Sequence, residues 1–132
     1  MASVFSKIVA GEIPSYKVAE DAHFLAFLDI YPLTKGHTLV IPKKEVDYLF
    51  DLDDETYLGL MQFAKKVALG IQKAIPCKRL SMQVIGLEVP HAHIHLIPIN
   101  SMSDCNFSNP KLQLSKEEME SIAESIRKNI VL

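Results

Sequence analysis

Three of the chain's five histidines, His91, His93 and His95, fall at alternate positions in the stretch PHAHIHLIP, residues 90–98. Imidazole is the side chain whose charge changes nearest neutral pH, and it serves as nucleophile, acid, base or metal ligand. An extended strand projects alternate side chains to one face, which sets these rings about 6.6–7 Å apart. Ala92, Ile94, Leu96 and Ile97 are apolar, leaving one face for chemistry and the other for packing. Three histidines within five residues, bounded by Pro90 and Pro98, favour a functional site over a chance surface cluster.

Two chemistries fit the spacing. His-x-His on a strand chelates Zn²⁺ when another histidine or a carboxylate arrives from elsewhere, with Asp29, Glu88 and His37 as the available groups. In the other, one neutral ring is the nucleophile or base, and its neighbours set its tautomer or bind an oxyanion. Mutual repulsion then keeps the rings from all being protonated near neutral pH. Spacing alone leaves both open.

The elements around the histidines must hold them. With 132 residues, 48% hydrophobic and 23% charged, the chain reads as a single domain, 1–132, that buries a core without disulfides. A net charge of −2 lacks the basic balance of a nucleic-acid binder. No run of about 18 apolar residues exists to span a bilayer, and no apolar signal region follows the start. Cys77 and Cys105 show no ligand spacing. The expected setting is the cytoplasm with both thiols reduced, and no nucleic-acid or membrane partner.

Val4 to Gly11 reads as a helical turn, SYKVAED and HFLAFLDI as two strands of a hairpin, and HTLVIPK as a third strand. The long helix spans DDETYLGLMQFAKKVALGIQKAI, with Tyr57, Leu60, Met61, Ala64, Val67, Ala68, Ile71 and Ile75 near the 3.6 period. Asp53 or Asp54 caps it and Pro76 ends it. RLSMQVIG and HAHIHLIPI are the fourth and fifth strands. A final helix starts near Lys116, with a Ser115–Glu118 capping box and Met119, Ile122, Ile126 and Ile130 on one face. Strands around one long helix, without βαβ alternation, predict an α+β fold with a five-stranded, mainly antiparallel sheet. Such a sheet leaves an edge to protect, and a second copy is one solution.

The run His91-Ala92-His93-Ile94-His95-Leu96-Ile97 resembles the histidine triad (HIT) superfamily pattern His-φ-His-φ-His-φ-φ. FSKIVAGEIPSYKVAEDAHFLAFLDIYPLTKGHTLVIPKK resembles the N-terminal half of the Hint-like branch, and the similarity runs from about Val4 to Asn100. The resemblance implies a HIT core over about 4–100, with a more variable loop and helix over about 101–132 that can bear on specificity. It implies a homodimer with a continuous ten-stranded sheet, a purine nucleotide as small-molecule partner, and hydrolysis at the α-phosphate of nucleoside phosphoramidates or related conjugates. His93 matches the nucleophile that forms a nucleotidyl-histidine, and such covalent catalysis splits one displacement into two. His91 matches the orienting histidine, His95 a phosphate contact, and His37 a supporting histidine on a neighbouring strand. Asp29 matches the acceptor for the ribose hydroxyls, and Phe5, Phe27 and Ile30 match positions that enclose the base.

Other positions depart from the pattern. Many relatives carry an Asn-x-Gly-x-x-x-Gly-Gln-Ser/Thr type segment before the triad; here Leu87 replaces the Gln, Glu88 stands at the Ser/Thr position and Gln83 stands in for the Asn. A carboxylate there repels phosphate unless it is protonated or aimed elsewhere. Some members hold zinc through an N-terminal Cys-x-x-Cys, where this chain has Ser3 and Ser6. A hydroxyl replaces a thiolate poorly on zinc, so neither a metal nor another cofactor is expected. The alternatives are a non-catalytic nucleotide-binding dimer acting through a protein partner, a dinucleoside polyphosphate hydrolase, and a zinc enzyme using His91 with His93 or His95.

Overall fold

Alternating apolar residues in the two central strands, β2 (Phe24–Leu28) and β3 (Thr38–Pro42), decide the layers. Successive strand residues point to opposite faces. Phe24, Ala26, Leu28 and Val40 therefore join one buried cluster, while Leu25, Phe27, Leu39 and Ile41 join another on the reverse face. The computed structural model describes residues 2–132.

With β1 (Lys17–Glu20), β4 (Arg79–Gln83) and β5 (Ile94–Ile99), these strands form one sheet in the order β1-β2-β3-β5-β4, with every neighbouring pair antiparallel. One face carries α2 (Asp54–Ala74) and α3 (Lys116–Lys128), and the other carries the short α1 (Val4–Val9). Leu60, Ala64, Val67 and Ile71 of α2 are fully buried against the sheet, with Met119, Ala123 and Ile126 of α3 in the same cluster. Phe63, outside the residues singled out by periodicity, is buried there too. Asp53 caps α2 by accepting from the Thr56 N–H, and Ser115 caps α3 by accepting from the Glu118 N–H. Among the described residues, no helix is long and apolar enough to cross a membrane.

Two strand expectations need correction. β4 stops at Gln83, and Val84 to Gly86 run on as loop. β5 begins only at Ile94, so His91 and His93 precede the strand rather than sharing its face with His95. The β3–β5 ladder ends at Val40 opposite Ile94. Beyond it comes Pro42, which has no N–H to offer a ladder, and its carbonyl is taken by the His91 ring. The chain leading into β5 is instead held by Ala92 N–H donating to Val46 O at 2.7 Å.

Gly36 makes the turn that delivers His37 to the start of β3. Its φ is +91°, and a Cβ there would sit 3.0 Å from Ile75 Cγ1 and 3.3 Å from Pro98 Cγ. An L side chain is strained at that φ and tight in that space. Gly36→Ala is expected to lower stability by about 1–2 kcal/mol, read as an earlier urea midpoint at unchanged slope.

Candidate functional site

His95 is the only triad member on a strand, and register puts it in a row with Phe27 and Leu39 on the α1 face. Leaving the strand geometry brings the other rings closer than strand spacing would. The His93 and His95 centroids are 5.0 Å apart, in an edge-on arrangement. Phe5 of α1 packs edge-on to His93 at 5.0 Å and to His91 at 5.9 Å. All three triad residues and His37 are buried.

The protons on these rings follow from their partners, because a neutral imidazole has one N–H and one lone pair. Leu33 N–H donates to His37 Nδ1 at 3.0 Å, so the His37 proton is on Nε2. That Nε2–H donates to His95 Nδ1 at 3.0 Å, which places the His95 proton on its own Nε2. His93 Nδ1 lies 2.7 Å from the carbonyl of His91, an acceptor only, so His93 donates there and keeps its Nε2 lone pair. No protein atom among the described residues bonds either free Nε2. Two adjacent rings thus present opposite functions, a lone pair on His93 and a donor on His95.

Burial keeps the donor chain neutral. Desolvation, then the closeness of the His95 ring, with which it cannot share charge, and the Lys111 cation, pushes His37 down to about 3. Desolvation followed by His93 pushes His95 down to about 4. His91 is also lowered, chiefly by burial. Asp29 Oδ2 lies 3.6 Å from His37 Nε2, beyond a direct hydrogen bond, and with His37 neutral this contact is not an ion pair.

A cavity of about 520 Å³ opens beside the rings. His93, His95, Asp29 and Glu88 line it, and Phe5, Phe27, Ile8, Ile13 and Leu39 form much of its apolar wall. Phe5 and Phe27 are also core residues, 7% and 3% exposed, so packing and lining coincide in them. Ile30 lines the rim, more than half exposed. Asp29 accepts from the Tyr31 N–H at 2.9 Å, and burial raises its pKa above the ordinary carboxylate value. His91 and His37 stand behind the lining. Gln83 pairs with His95 across the sheet, but its amide donates to Ser81 Oγ and the residue stays out of the cavity wall.

Asp29, His37 and His95 bring ligand-type atoms within 4.8 Å of one another. Hydrogen bonds already use the histidine atoms: His37 Nδ1 accepts, and its Nε2 carries the proton given to His95 Nδ1. Binding a cation there would require undoing that chain. The serines at the Cys-x-x-Cys positions are likewise engaged. Ser3 Oγ lies 2.9 Å from His91 Nδ1, and Ser6 Oγ donates to Glu45 at 2.7 Å.

Phe107 was not singled out from the sequence, yet it lines the cavity and sits edge-on to His95 at 4.9 Å and to His37 at 6.2 Å. Lys111 Nζ lies 5.9 Å from the centre of its ring and donates to the Phe107 and Asn109 carbonyls. The loop is tied down where Leu112 N–H meets Pro32 O at 2.8 Å. An aromatic inside a polar loop was the available signal.

The HIT domain family model matches residues 10–102. The adenosine 5'-monophosphoramidase of Schizosaccharomyces pombe is 37% identical over 136 residues, covering 98% of this chain and 99% of that protein. A solved structure described as a hypothetical histidine triad nucleotide-binding protein from Sulfolobus tokodaii superposes with a TM-score of 0.84 at 34% identity, covering 95% of this chain and 89% of that one. A zinc-bound histidine triad family protein from Mycobacterium smegmatis gives 0.80 at 28% identity, covering 98% and 93%.

The depressed histidines set a pH dependence. A base whose folded pKa lies below its unfolded value near 6.5 binds its proton preferentially in the unfolded chain. The stability this neutral burial carries is therefore whole above about pH 6.5 and is lost as pH falls toward the folded values of about 4 and 3. Each such group contributes a slope of about 1.4 kcal/mol per pH unit in that window. Urea titrations between pH 7 and 4.5 should show that loss, with a shallower slope in His37→Gln.

Proposed function

This chain belongs to the HIT domain family, and from that premise we propose that it hydrolyses purine nucleoside phosphoramidates, or related nucleotidyl conjugates, at the α-phosphate. The observation that carries the reading is the pair of complementary nitrogens on the cavity wall, a lone pair at His93 Nε2 beside a donor at His95 Nε2. The base lies between Phe5, Phe27 and Ile30, and Asp29 accepts from the ribose hydroxyls. A cavity of this size and apolar character suits a mononucleotide.

His93 Nε2 attacks the α-phosphorus, forming an N–P bond while the bond to the leaving amine breaks. The electron pair leaves with the amine, which takes up a proton from solvent water. His95 Nε2–H donates to the phosphate oxygens as their charge builds, and His37 holds His95 in the tautomer that permits this. Water then attacks phosphorus and gives up a proton to solvent, the N–P bond breaks with its electron pair returning to His93 Nε2, and the nucleoside monophosphate is released. No step calls for a metal.

The proposed assembly is a homodimer in the cytoplasm. The edge strand β4 has no partner on its outer side in the sheet order, and its Met82 is 44% exposed, so pairing there would extend the sheet to ten strands. A second reading, a nucleotide-binding dimer with little turnover that acts through a protein partner, is favoured by Glu88. Its carboxylate joins Asp29 on a wall that must receive phosphate. Dinucleoside polyphosphates are the alternative substrates.

Adenosine 5'-phosphoramidate mixed with the protein and quenched quickly without acid should give a mass gain of one AMP. The gain should be absent in His93→Ala, whose turnover is expected to fall by at least about 10³-fold with AMP affinity largely kept. AMP binding without adduct or turnover in the wild type favours the second reading. Asp29→Asn should weaken AMP roughly tenfold, and the 2'-deoxy nucleotide should lose less in that variant than in the wild type.

A further inference from the structure

Behind the cavity wall, a second set of hydrogen bonds ends on the same histidines. Glu45 Oε1 accepts from the Ser3 backbone N–H at 2.6 Å and from the Ser6 hydroxyl at 2.7 Å. These bonds hold the Glu45 carboxyl down at about 2, so near neutral pH it is charged and only accepts. The Ser6 proton is thereby committed to Glu45. Ser3 Oγ caps α1 by accepting from the Ser6 N–H at 3.0 Å.

Polarity then runs in one direction. His91 Nε2 lies 2.8 Å from Pro42 O, and a carbonyl only accepts, so the His91 proton is on Nε2. The ring is fully buried, and burial keeps it neutral. Nδ1 therefore carries a lone pair, and the Ser3 hydroxyl at 2.9 Å donates to it. Ser6 Oγ, 3.4 Å from the same nitrogen, has already given its proton away. The ring is clamped between the start of α1 and the end of β3. Its backbone carbonyl is the group that receives the His93 Nδ1–H at 2.7 Å. Phe5, on the same helix turn, packs edge-on against His93.

We propose that Ser3, Ser6 and Glu45 form a positioning relay through which α1 holds His91 and, through its carbonyl, fixes the tautomer and aim of His93. The three residues lie outside the cavity lining and touch no substrate. Glu45 and Ser6 dock the helix start, and Ser3 converts that docking into the orientation of one ring. The inference rests on His93 as the nucleophile.

Ser3→Gly separates the relay from ordinary helix capping, because glycine caps within a few tenths of a kcal/mol of serine yet has no hydroxyl to donate. Single-turnover rates with adenosine 5'-phosphoramidate and long-range ¹H–¹⁵N spectra of the His93 ring read the effect. Ser3→Gly should lose about tenfold in kcat with KM within about twofold, and His93 should become a mixture of Nδ1–H and Nε2–H forms. Ser3→Thr, which keeps the hydroxyl, should restore both readouts. A wild-type rate with a pure Nδ1–H His93 in Ser3→Gly overturns the relay, as does an equal loss in Ser3→Gly and Ser3→Thr. Should the wild type turn nothing over, the nucleophile reading falls separately. The spectra then still decide: a shifted His93 tautomer keeps the positioning role, and an unshifted one removes it.

Discussion

A neutral imidazole can donate through one nitrogen only, and the arrangement of this site depends on that restriction. One backbone amide, Leu33 N–H, pointing at His37 Nδ1 settles the proton on His37 and thereby the proton on His95. One backbone carbonyl, that of His91, settles His93 in the opposite sense. Neighbouring rings with the same composition come to offer a donor and a lone pair. The choice is made by main-chain groups, which hold their polarity at any pH. Burial enforces it further, since a second proton on His37 or His95 would be a buried charge.

The sheet places those main-chain groups. β2 and β3 are buried on both faces, so a one-residue slip in their pairing would exchange the two apolar sets and is strongly disfavoured. Fixed register aligns Phe27, Leu39 and His95 across three strands on the α1 face. It also stops the β3–β5 ladder where proline has no N–H, and that interruption frees the His91–His93 segment to turn inward. The same proline carbonyl then anchors His91. A gap in regular structure here becomes part of the site.

Much of this architecture was legible in local pattern. The 3.6 periodicity from Leu60 to Ile71, the Asp53 and Ser115 caps and the β-branched run of β3 each rest on neighbours in sequence, and the structure follows them. The antiparallel sheet of five strands was read from the missing βαβ alternation and from resemblance, whereas the order β1-β2-β3-β5-β4 rests on long-range pairing that neither supplied. Alternation misled at His91 and His93, because an alternating sequence is compatible with a strand but does not create one beyond the end of the partner ladder, here Val40 opposite Ile94. Ser3 and Glu45 are 42 residues apart, and Phe107 reaches the rings through a loop docked on Pro32. Contacts of that kind arise from tertiary packing, and no spacing rule reads them. Gln83, expected to stand in for the Asn of the family pattern, pairs in register with His95, while its side-chain amide is turned to Ser81.

The electrostatics of the cavity then pose a specific problem for an anionic ligand. Asp29 and Glu88 both line it, and after burial itself the Glu88 charge adds to the cost of a negative charge on Asp29. His37 and His95 do not offset this with formal charge, because burial holds both neutral. What remains is a set of N–H dipoles fixed in advance, and in a water-poor site such dipoles stabilise developing charge without having to reorganise. Lys111 adds a cation whose field reaches Asp29 and His37 while its ammonium stays tied to loop carbonyls. Phe107 lies against the His37 and His95 rings, covering part of the path by which solvent would screen these terms. A site built this way is selective by geometry: an anion finds a donor where its oxygen meets the His95 Nε2–H, and elsewhere on the same wall it meets apolar side chains or carboxylate.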